Sequence, residues 1–131
     1  MKLDMDFSEE LRIWLASALA AEVPDAVIAF SFNIFELESA DAKYGLELIG
    51  ASEFDVDDSD WACDEAWVAS PRSISIPRSF TMGGWKECLH DAKQLLTKIL
   101  NESSVPASKL KEARAVAVGF VDGDLELIWK G

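Results

Sequence analysis

Histidine occurs once in this chain and cysteine twice. The single histidine, His90, has only Glu87 as a possible co-ligand among Lys86, Glu87, Lys93 and Gln94, its neighbours one helical turn away. That donor set is too poor for zinc. Cys63 and Cys88 cannot build a disulfide framework. No apolar run exceeds the five residues 26–30, far short of the ~20 that span a bilayer. Residues 1–6 turn acidic at Asp4 and carry no apolar leader segment, so no secretory signal is expected. No serine stands in a nucleophile-elbow context and no glycine-rich nucleotide fingerprint is present. Net positive charge is also missing. With 24 acidic and 12 basic side chains the chain carries −12, the opposite of a nucleic-acid-binding footprint and unfavourable for docking on anionic membranes. These absences predict a cytosolic (cytoplasmic) protein with reduced thiols, no cofactor, no metal site and no catalytic centre.

What is present is apolar content and an uneven charge. Half of the 131 residues are hydrophobic, enough for one domain that buries about two-thirds of its unfolded surface. Residues 1–65 hold 17 acidic and 3 basic side chains, whereas residues 66–131 hold 7 and 9. The acidic excess therefore belongs wholly to the first half.

Hydrophobic spacing predicts the elements. Asp6, with Glu9 three residues on, reads as the start of a helix whose stripe is Leu11, Trp14, Leu15, Ala18 and Leu19, stopped by Pro24 and Asp25. Strands are expected at 26–37 and 44–49, joined by a turn at 38–42 and paired as an antiparallel hairpin. Residues 71–79 alternate between two prolines and read as an edge strand. A second helix follows Gly83 and Gly84, with the stripe Trp85, Cys88, Leu89, Ala92, Leu95, Leu96 and Ile99. Asn101, then Val105 and Pro106, close it, and a polar segment with Lys109, Lys111 and Arg114 comes next. A hairpin turning at Asp122 and Gly123 ends the sequence, with Leu125, Leu127 and Trp129 on one face. This order predicts an α+β domain over residues 1–131: a mainly antiparallel sheet of four to six strands with two helices on one face.

The segment 53–65 fits neither period and is expected to be a loop, with a strand or helical turn over 61–68. Seven of its thirteen residues, Glu53, Asp55, Asp57, Asp58, Asp60, Asp64 and Glu65, are acidic and none is basic. An EF-hand register from Asp55 places Asp60 where glycine is needed and Ala66 where glutamate is needed, so that calcium motif fails. Acid–base catalysis needs two carboxyls with separated pKa values in a shaped cleft, which a dense acidic run does not provide. Gly83 and Gly84 offer an anion cradle at a helix N-terminus, against the plainer use of glycine as a helix entry. The simplest reading of an acidic run is a solvated loop.

Trp61 and Trp67 interrupt the run, and Phe54 opens it. Such aromatics either tether the loop to the core or serve as interface anchors. Clustered like charge opposes folding unless something cationic meets it. The reading that follows is a partner-binding loop of Glu53, Asp55, Asp57, Asp58, Asp60, Trp61, Asp64, Glu65 and Trp67, directed at a protein with a basic surface. A short acidic α+β chain with a Trp-punctuated acidic loop resembles the immunity proteins of bacterial toxin systems. That resemblance implies binding and neutralisation of a cognate toxin, often a nuclease. Two alternatives stand beside it. One is an accessory or adaptor domain that recruits its partner on the exposed face of the sheet or on the edge strand at Ser73–Ile76; the other is a calcium-binding or hydrolytic protein built on the acidic loop.

Overall fold

Asp6 opens helix α1 (Phe7–Ala20) by accepting the Glu9 N–H on its side chain at 3.0 Å. The computed structural model describes residues 6–20, 22–38, 42–78, 80, 83–121, 123 and 125–131. Residues 1–5, the expected turn residues Ser39, Ala40 and Asp41, Ser79, and Asp122 of the expected hairpin turn lie outside them. The buried face of α1 is Phe7, Leu11, Trp14, Leu15, Ala18 and Leu19, the predicted stripe extended by Phe7. No cationic side chain stands in the last turn of α1; Lys109 fills that role from elsewhere, its ammonium donating to the Leu19 carbonyl.

Strands β1 (Ala29–Glu36) and β2 (Ala42–Ala51) pair antiparallel, as predicted. Gly45 is required in β2 because the Phe35 ring lies across it, and a Cβ there would meet Phe35 Cζ at 2.5 Å. Strand β3 (Glu65–Pro77) is longer than expected and begins within the acidic run. It is an edge strand, in the order β3-β2-β1-β4-β5. Its ladder is interrupted: Glu47 faces Ser73 and Ile49 faces Val68, so residues 69–72 stand opposite Leu48 alone. The cis Ser70–Pro71 bond lies in this bulge. There the Pro71 carbonyl accepts the Trp14 indole N–H at 2.8 Å, fastening α1 to the edge strand.

Helix α2 (Trp85–Leu100) buries Cys88, Ala92, Leu96, Ile99 and Leu100. Trp85, expected on that stripe, is instead 53% exposed. It sits in the first turn, makes an edge-on contact with Phe120, and carries Lys86 over its ring. A third helix, α3 (Val105–Lys111), corrects the expectation of a polar segment and of two helices. Val105 and Pro106 do not merely end α2. The Ser104 side chain caps the Ala107 N–H and Pro106 sits in the first turn, where its missing N–H does no harm.

Strand β4 (Ala115–Phe120) returns beside β1 in parallel, and β5 (Glu126–Lys130) closes the second edge antiparallel to it. The five-stranded sheet is thus mostly antiparallel and the fold is α+β. All three helices pack on one face, against Phe30, Phe32, Ile34, Tyr44, Leu46, Leu48, Val116 and Val118. In β5 a register shift inserts Ile128 between the partners of Val116 and Ala117. Trp129 consequently joins the helix-side core, while Leu125 and Leu127 stay on the opposite face, correcting the expected three-residue row. Among the described residues no helix is long and apolar enough to cross a membrane.

Arg12 and Glu102 tie α1 to the end of α2 through a bidentate pair at 3.0 and 2.7 Å. The Arg12 hydrogen bond holds the Glu102 carboxyl below the usual carboxylate range, and the Ser8 hydroxyl, then the Glu9 N–H, do the same for Asp6. A carboxyl depressed on folding stabilises above its unfolded value and loses that contribution as pH falls through its folded value. Glu102→Gln is therefore expected to lower stability slightly at neutral pH, by less than ~1 kcal/mol for a pair this exposed. The gap to the parent should close in acid, as pH falls through the lowered folded-state value of Glu102. Thermal melting of both proteins across pH 7 to 2.5 tests this; a gap that persists in acid would contradict it.

Candidate functional site

The acidic run connects β2 to β3, and its ends are tied together. Ala51 pairs with Glu65, and the Ser52 N–H donates to the Asp64 carbonyl at 2.9 Å. Between these ends the chain folds on local bonds that aspartate makes well. The Asp55 side chain accepts the Asp57 N–H at 2.9 Å. The Asp58 side chain accepts the Asp60 N–H at 3.0 Å and caps a single 3-10 turn, Ser59–Cys63. Residues 61–68, expected to be a strand or a helical turn, are divided between the two: the 3-10 turn ends at Cys63 and β3 begins at Glu65.

Trp61 fastens this turn to the sheet. It is 5% exposed and packs with Ala29, Ile49, Ala51 and Ala117 on the face away from the helices. Phe54 meets it edge-on at 5.3 Å, and Leu125 and Leu127 close around it. The small side chains of this sheet face are what leave room for an indole. Trp67 lies on the other face, half-buried with its ring edge-on to Phe30 at 6.0 Å. The two tryptophans are thus not one aromatic anchor; each holds its own end of the segment to a different core. The apolar side chain the loop does present is Val56, 58% exposed at the turn between Asp55 and Asp58.

The carboxylates point outward. Glu53, Asp55, Asp57, Asp58, Asp60, Asp64 and Glu65 are all exposed. Glu53, Asp55, Asp58, Asp60 and Asp64 line one open depression of about 350 Å³. Among the described residues only Glu65 of the seven has an ion pair, with Arg72 at 3.0 Å. The same guanidinium binds Glu47 at 3.0 Å. Glu47 in turn accepts from the Asn33 amide at 3.0 Å, and Asn33 accepts from the buried Ser31 hydroxyl at 2.7 Å. This polar row, Ser31–Asn33–Glu47–Arg72–Glu65, crosses the second sheet face beside the loop. Sequence spacing hid it because three strands contribute to it; the only signal was the mixed face of β1.

Other candidates take plainer roles. Among the described residues no group of three or more His, Cys, Asp and Glu side chains is gathered to hold a metal ion. His90 is exposed on α2. Cys88 is buried, and burial pushes its thiol up to about 11, so it packs and does not react. Cys63 is exposed beside the acidic turn. At the start of α2 the Glu87 side chain lies close to Gly83, where a Cβ would meet its Cγ at 2.5 Å, and the Gly84 cap has no side-chain hydrogen bond. Comparison with protein-family models, with curated proteins and with solved structures finds no match.

Proposed function

We propose that this chain is a binding protein, not an enzyme, whose loop 52–64 meets a basic surface on another protein. The observation that supports it is the combination of a pinned backbone with unneutralised carboxylates. Trp61, the Ser52–Asp64 closure and two aspartate-capped turns fix the loop. Yet Glu53, Asp55, Asp57, Asp58, Asp60 and Asp64 have no internal cation among the described residues. A solubility loop needs charge but not a fixed shape. A fixed array of like charge raises the energy of the free protein and is relieved by a complementary Lys- and Arg-rich surface. Val56 supplies the apolar contact at the tip that Trp61, turned inward, does not. In character this arrangement suits an immunity protein that occludes the basic cleft of a cognate toxin, with a nuclease as the natural target, because spaced carboxylates replace phosphates there. Inhibition is steric and electrostatic, with no chemistry by this chain.

Changing Asp57, Asp58 and Asp60 together to Asn tests it. The Asp58→Asn change keeps a side-chain oxygen to cap the 3-10 turn, so the fold should stand. Stopped-flow association with the basic protein partner that this chain captures should slow about tenfold or more at low ionic strength, and the difference should shrink as salt rises. An association rate equal to the parent's at low salt would overturn the assignment.

A further inference from the structure

We draw no further inference here: the strongest candidate, the uncharged outer face of α1 on which Ile13, Ala16, Ser17 and Ala20 stand exposed, is a stripe of mostly small side chains, and nothing in the structure shows what covers it.

Discussion

Trp61→Ala is expected to destabilise the folded chain by about 3–5 kcal/mol, the range for removing a buried tryptophan side chain. In a domain of this length that corresponds to a fall in Tm of roughly 10 °C or more. The reason is position. The indole is the largest side chain in the cluster of Ala29, Ile49, Ala51 and Ala117, and none of these can expand to fill its place. Deleting it leaves a void over the sheet and frees the 3-10 turn that Asp58 caps. Amide exchange at Asp60, Trp61 and Asp64 should accelerate along with the loss of stability. A Tm within about 2 °C of the parent, with binding nonetheless weakened, would mean that the ring acts at the partner surface and not as a tether.

Trp14 should show the second large effect, in two separable parts. Trp14→Ala removes a buried indole between α1 and the β3 bulge and should cost about 3–5 kcal/mol. Trp14→Phe keeps most of the apolar volume but leaves the Pro71 carbonyl without its 2.8 Å donor, and should cost about 1–3 kcal/mol. Chemical denaturation of both variants gives the two values. The effect should also reach the loop. Residues 69–72 form the bulge that Trp14 holds, and Arg72 at its end pairs with Glu47 and Glu65. Equal stability of Trp14→Phe and the parent would show that the Pro71 bond contributes nothing net.

Where one face of an element is strongly apolar, the sequence was readable. The stripe of α1, the alternation of Phe30, Phe32 and Ile34, and the stripe of α2 beyond its first turn each predicted both the element and its buried side. The misreadings have physical causes. Val105 and Pro106 serve as a stop and as a start at once, and the short α3 offers only Ala107 and Leu110 to burial, too few to set a period. The bulge in β5 turned Trp129 to the other face, and alternation cannot foresee an inserted residue. At the loop the charges were legible but the direction of Trp61 was not. Its docking surface is assembled from Ala29, Ile49, Ala51 and Ala117 on three strands, with Leu125 and Leu127 beside them, a grouping that no single stretch of sequence displays. The Asn33–Glu47–Arg72 row was equally silent, since its members come together only when β1, β2 and β3 are in register.

The parallel pairing of β1 with β4 has a further consequence during synthesis. Ala29 is matched to Ala115, so the middle of the sheet stays unfinished until some eighty-six later residues have been made. During that interval β1 has β2 on one side and an open, strongly apolar ribbon on the other. Such a ribbon invites another nascent chain. Slow translation between α2 and β4 should therefore raise the aggregated fraction, and a chaperone that shields Phe30, Phe32 and Ile34 should lower it.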